Sequence, residues 1–125
     1  MMTTPADHIT IYEYPPCGTC RSAVKWLQNE GWKLDRIHIK ETPPSPQVLD
    51  ELIALSGLDM KKWFNTSGEV YKELQLKDKL AGMSKEEKLE LLSSHGMLIK
   101  RPIVTDGKRV TIGFKPEAYA EAWSR

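Results

Sequence analysis

The segment from Ile9 to Leu27 constrains the chain most, because a strand pattern, a backbone break and a helix start follow one another in it without a gap. Ile9 and Ile11 alternate with Thr10 and Tyr12, the period of a strand with one apolar face. Pro15 and Pro16 cannot extend a hydrogen-bonded ladder from its interior, so the strand ends before them. From Gly18 to Asn29 the apolar Ala23, Val24 and Leu27 return at helical spacing, and Gly31 is a stop. Cys17 is therefore expected at the helix entrance, with Cys20 about one turn further in. Unpaired N–H groups and the macrodipole at a helix N-terminus favour a thiolate over a thiol, so Cys17 is expected to have a lowered pKa.

Composition narrows the setting for this thiol pair. The chain has 125 residues, enough for one domain with a real core, and its 40% hydrophobic and 28% charged content is ordinary for a globular protein. A formal net charge of +1 asks for neither nucleic acid nor an anionic membrane as partner. No apolar run approaches the roughly 20 residues that span a bilayer. Met1 to Asp7 has neither the basic nor the apolar region of a signal peptide and reads as a frayed tail. Two cysteines this close cannot build the disulfide framework of a secreted domain, so the expected compartment is the cytoplasm, where such a pair is catalytic or metal-binding. Zinc needs four ligands, and His8, His38 and His95 lack the paired spacing that would complete them, so no metal is expected. Trp26, Trp32, Trp63 and Trp123 lack the interleaved basic clusters of a base-stacking platform and read as packing residues.

Beyond the first helix, Leu34, Ile37 and Ile39 mark a second strand over Lys33–Ile39. A proline-rich connection, Glu41-Thr-Pro-Pro-Ser-Pro46, admits no helix or central strand. Ser45 is a candidate N-cap with Pro46 at the first helical position, and Leu49, Leu52, Ile53 and Leu55 supply an apolar face up to Gly57. Short helical turns are expected at Met60–Phe64 and around Tyr71 and Leu74, separated by the loop Asn65–Gly68. Ser84 with Glu87 forms a candidate capping box for a helix through Leu89 and Leu92 that Gly96 would end. Strands over Pro102–Thr105 and Val110–Gly113 flank the turn signal Asp106-Gly107, and Pro116 opens a last helix with Tyr119 and Trp123 on one face. A strand–helix–strand start implies a parallel pair, and the hairpin adds an antiparallel one. The expected fold class is α/β: a mixed four-stranded sheet flanked by helices, with a helical insertion at roughly residues 45–96 of a single domain.

Five segments taken in order carry a resemblance. Tyr14-Pro-Pro-Cys-Gly-Thr-Cys20, Glu41-Thr-Pro-Pro44, Glu69-Val-Tyr-Lys-Glu-Leu74, Arg101-Pro-Ile103 and Phe114-Lys-Pro116 resemble the ArsC family, which contains glutaredoxin-linked arsenate reductases and Spx/MgsR-type proteins. The resemblance covers nearly the whole chain and implies a thioredoxin-like domain with an inserted helical subdomain. It implies Cys17 as nucleophile, facing Arg101 across an Arg101–Pro102 bond that tends to be cis in this fold; the residues alone read equally as an ordinary arginine before an edge strand.

In the reductases three arginines hold the oxyanion. Here Arg101 matches one, while Asn65 takes the place of another and Phe114 or Lys115 that of the third. Neither an amide nor an ammonium reproduces the bidentate fork of guanidinium, so arsenate is disfavoured as substrate. Cys20 supports a different cycle, in which it resolves a mixed species on Cys17 into an internal disulfide. The expected catalytic residues are thus Cys17, Cys20 and Arg101, with Gly18, Thr19, Asn65, Arg101, Pro102 and Lys115 lining the substrate. The resemblance implies no bound cofactor, glutathione or a glutaredoxin or thioredoxin as electron donor, and a monomer with neither direct nucleic-acid nor membrane contact. In the Spx-type alternative the domain senses oxidants through the cysteine pair and binds RNA polymerase.

Overall fold

The computed structural model describes residues 7–125; the tail expected at the N-terminus lies, up to Ala6, outside the described residues. The elements run β1 (His8–Glu13), α1 (Gly18–Asn29), β2 (Lys33–His38), α2 (Pro46–Ser56), α3 (Glu69–Glu73), α4 (Leu76–Lys79), α5 (Lys85–Ser94), β3 (Ile103–Thr105), β4 (Val110–Ile112) and α6 (Pro116–Trp123). Short 3₁₀ turns occupy Met60–Trp63, Leu80–Gly82 and Gly96–Leu98. The chain gathers into two compact units: residues up to His38 with Arg101–Arg125, and Ile39–Lys100.

The first unit is built on a four-stranded sheet in the order β2-β1-β3-β4. β1 pairs parallel with β2 and antiparallel with β3, and β3 pairs antiparallel with β4. The parallel pair requires a crossover, which α1 provides. This is the mixed sheet that the strand order implied, with the helical segment between the second and third strands. β3 is interior to the sheet, so Pro102 does not open an edge strand. Ile9 and Ile11 on β1 meet Ala23, Val24 and Leu27 of α1, Trp32, Val104, and Tyr119 and Trp123 of α6 in one core cluster. Its aromatic residues keep their polar atoms satisfied, as burial demands. Trp32 Nε1 donates to the Trp123 carbonyl at 2.7 Å, Trp123 Nε1 to Thr111 Oγ1 at 3.0 Å, and the Tyr119 hydroxyl to the Gly113 carbonyl at 2.8 Å. The β3–β4 loop is longer than a two-residue hairpin because Asp106 Oδ1 accepts from the N–H groups of both Lys108 and Arg109.

The second unit is helical. Ser45 Oγ accepts from Val48 N–H at 3.2 Å, Pro46 begins α2, and Gly57 ends it with a φ of 71°. Leu49, Leu52 and Ile53 are buried, but Leu55 is 47% exposed, against the expectation that it belongs to the apolar face. At 100° per residue Leu55 lies well off the stripe defined by 49, 52, 53 and 56, so periodicity correctly applied excludes it. The capping box of α5 is present: Glu87 N–H donates to Ser84 Oγ at 3.1 Å and Ser84 N–H to Glu87 Oε1 at 2.9 Å. α5 stops at Ser94 with His95 as C-cap, and Gly96 follows just past the end as expected, though without the positive φ of a capping glycine. Its role is closeness: a Cβ there would stand 1.9 Å from the Ile39 carbonyl oxygen. Ile39, expected at the end of β2, belongs instead to this unit, fully buried. Among the described residues no helix is long and apolar enough to cross a membrane.

Candidate functional site

Cys17 is the N-cap of α1, with extended backbone angles of −76° and 124°, so its sulfur sits where the first helical N–H groups are unpaired. Its own N–H donates to the Tyr14 carbonyl at 2.9 Å, which closes the Pro15-Pro16 turn and aims the residue at the helix end. Cys17 is partly exposed and Cys20 fully buried, both as free thiols. The helix thus separates two chemically identical side chains into different surroundings.

Their acidities diverge accordingly. Burial acts to raise the Cys17 pKa, but the Cys20 N–H, the Cys20 thiol, the Thr19 N–H and the charge of Arg101 together bring it below the ordinary thiol value. Cys20 is pushed up to about 12, chiefly by burial, against the opposing hydrogen bond from Tyr14 N–H, and further by the charge on Cys17. The Tyr14 N–H reaches Cys20 Sγ at 3.5 Å. One thiol is prepared to ionise and its neighbour to keep its proton.

Arg101 precedes Pro102 through a cis peptide bond, the isomer that the resemblance implied and that residue spacing alone left open. Its guanidinium carbon lies 5.6 Å from the centroid of the Tyr14 ring, and its charge reaches both sulfurs. Pro102 is buried, and its carbonyl accepts from Gly113 N–H at 2.9 Å, tying the arginine's strand to the end of β4. Arg21, the cation nearest the pair in sequence, is exposed.

The remaining sequence-derived residues divide. Gly18 and Thr19 are exposed on the first turn of α1, and the Thr19 N–H points at Cys17. Lys115 is the exposed N-cap of α6. Phe114 is partly buried and packs against the core, meeting the Tyr119 ring edge-on at a centroid distance of 4.8 Å. Asn65 belongs to the helical unit, where its N–H donates to the Leu98 carbonyl at 2.7 Å and its carbonyl accepts from Gly68 N–H at 3.1 Å. The structure therefore unites Cys17, Gly18, Thr19, Cys20, Arg101 and Pro102 with Tyr14 in one unit. Tyr14 escapes the sequence because its contribution runs through its peptide and its ring contact with Arg101, neither of which leaves a spacing signal. Among the described residues no three His, Cys, Asp or Glu side chains are grouped to hold a metal ion.

Comparison with known proteins identifies the family and supports the fold. The ArsC family matches residues 12–122. The uncharacterized protein YusI of Bacillus subtilis is 57% identical over 116 residues, covering 93% of this chain and 98% of that protein. The regulatory protein MgsR of the same organism is 30% identical over 110 residues, covering 88% and 86%. An arsenate reductase of Escherichia coli is 34% identical over 128 residues, covering 95% and 89%. A crystal structure of an ArsC family related protein from Bacteroides fragilis superposes with a TM-score of 0.86 at 43% identity, covering 90% of this chain and 95% of that one. With the family match, the relatives and the shared architecture in agreement, the chain belongs to the ArsC family.

Proposed function

We propose that this protein is a cytoplasmic thiol–disulfide oxidoreductase in which Cys17 is the nucleophile and Cys20 the resolving cysteine. The observation that carries the reading is the split between them: an accessible thiol with lowered pKa at the helix N-terminus, and a buried neighbour whose pKa is raised to about 12. Thiolate is the reacting species in disulfide exchange, so a pair divided this way has a built-in order of events.

In the first step Cys17 thiolate attacks one sulfur of an acceptor disulfide. A Cys17–sulfur bond forms, the acceptor's S–S bond breaks, and the second acceptor sulfur leaves as a thiolate. Loss of the Cys17 charge removes one of the influences that hold the Cys20 proton in place. Cys20 then gives that proton to the departing thiolate or to solvent and attacks Cys17 Sγ. The mixed disulfide breaks, the acceptor's first sulfur leaves as a thiolate that solvent protonates, the Cys17–Cys20 bond forms, and two electrons have passed from the dithiol to the acceptor. Glutathione, a glutaredoxin or a thioredoxin returns them. The cycle requires no bound cofactor and one copy of the chain.

Two measurements test this reading. Titration of ultraviolet thiolate absorbance, wild type against Cys17→Ser, is expected to place the Cys17 midpoint below the free-thiol value of about 8.5. A midpoint at or above that value removes the activation argument. Mass spectrometry after equilibration in glutathione buffers is expected to show an internal disulfide, while a persistent glutathione adduct on Cys17 assigns the resolving step elsewhere.

A second reading draws on the similarity to the regulatory protein MgsR: a redox-sensing regulator whose cysteine pair governs contact with RNA polymerase. Pull-down of polymerase by reduced and oxidised protein separates it from the first, and no capture in either state eliminates it. A third reading, arsenate reduction, has support in the similarity to an arsenate reductase but retains only Arg101 of the three expected guanidinium groups. Turnover of arsenate with glutathione and glutaredoxin present would establish it; its absence leaves the first two.

A further inference from the structure

Tyr14 contacts both cysteines and the arginine of the thiol centre. Its carbonyl accepts from Cys17 N–H at 2.9 Å, and its N–H donates to Cys20 Sγ at 3.5 Å. Its ring carries the Arg101 guanidinium, with Cζ 5.6 Å from the centroid, and meets the His38 imidazole edge-on at 5.6 Å and 81°. Glu13, the residue before it, is buried in a bidentate pair with Arg36, so this acidic neighbour is engaged on β2. Arg21 on α1 is exposed.

We propose that Tyr14 is a positioning residue for the Cys17–Cys20 pair, its ring seating the Arg101 guanidinium toward the cysteine loop while its peptide holds the two cysteines in register. The proposal rests on the oxidoreductase reading and assigns a residue to it. An arginine side chain has many rotamers open to it, and the negative face of an aromatic ring attracts its cation at this range. The influence of that cation on a thiolate scales inversely with distance, so where the guanidinium rests matters. The peptide contacts are available to most residue types at this position. The ring contact is not, and this separates the two contributions by experiment.

Thiolate titrations of Tyr14→Phe, Tyr14→Leu, Arg101→Ala and the Tyr14→Leu/Arg101→Ala double variant provide the test. Loss of the ring in Tyr14→Leu is expected to lower the Cys17 thiolate population at fixed pH by about threefold to tenfold. Tyr14→Phe, which keeps the ring, is expected to stay within about twofold of wild type. In the Arg101→Ala background Tyr14→Leu is expected to add no further change, because its effect passes through the arginine. A merely structural role predicts equal loss in both backgrounds, and that result overturns the proposal, as does an unchanged midpoint in Tyr14→Leu. If the wild-type midpoint is already that of a free thiol, the oxidoreductase reading fails first and the positioning role falls with it. Should Tyr14→Leu not fold, NMR of the unmutated protein decides: Arg101 side-chain protons displaced upfield by the ring support the proposal, and undisplaced ones overturn it.

Discussion

At the scale of single residues, burial determines the chemistry. Cys17 and Cys20 are identical side chains one helical turn apart, yet their thiols are shifted in opposite directions. The shifts have opposite consequences for stability. A thiol whose folded pKa is depressed adds stability above its unfolded value of about 8.5, and this is lost as pH falls through the folded value. Cys20 does the reverse: between about 8.5 and its folded value near 12 the unfolded chain releases a proton that the folded protein retains, so stability falls as pH rises. Urea midpoints across the alkaline range are therefore expected to decline less steeply in Cys20→Ala than in wild type. A parallel decline would remove burial of Cys20 as the cause. Glu13 illustrates the cost of a partner lost. It is 1% exposed, with Oε1 accepting from Arg36 Nη2 at 3.1 Å and Oε2 from Nε. Arg36→Ala leaves that carboxylate buried without its cation and is expected to destabilise by about 3 kcal/mol. Glu13→Gln in the same background is expected to recover part of the loss in chemical denaturation.

At the scale of elements, local chemistry sets where helices begin, while contacts distant in sequence set where several segments end. The starts of α2 and α5 were legible because their caps are side-chain groups at fixed offsets: Ser45 with Val48, and Ser84 with Glu87. Ser84→Ala removes the Oγ that accepts from Glu87 N–H, while the residue 84 N–H still faces Glu87 Oε1, and is expected to cost about 1 kcal/mol in thermal or urea unfolding. The end of α5 was legible in Gly96, but the reason for glycine there was not: its lack of a side chain serves the approach of the Ile39 carbonyl oxygen, 1.9 Å from where a Cβ would be. Gly96→Ala is therefore expected to be the more damaging of the two, by about 1–3 kcal/mol, since backbone must move to admit the methyl group. If Gly96→Ala proves milder than Ser84→Ala, the close approach is not a constraint in solution. Leu55 carries the same lesson in reverse. An apolar residue near an apolar stripe is not on it, and angular position decides.

At the scale of the whole molecule, the sheet holds the thiol centre and Ile39–Lys100 forms a compact unit of its own. β1 pairs on both sides and contributes Ile9 and Ile11 to the core, while no residue of α3 is buried. Amide exchange is accordingly expected to be slowest in β1 and far faster in α3 and the exposed β3–β4 loop, because opening β1 dismantles two ladders and the core cluster together. Comparable protection in α3 and β1 would contradict this ranking. The order of strands and helices and the helix-entrance position of Cys17 were legible in the sequence because periodicity, proline breaks and caps act within a few residues, while five segments in order carried the resemblance to the family. Tertiary structure decided what those residues do. It buried Cys20 and left Cys17 accessible, gave Arg101–Pro102 its cis bond, and placed Phe114 in packing. It also brought Tyr14 against Arg101. Those outcomes depend on distance and dielectric between groups far apart in the chain, and no local spacing encodes either.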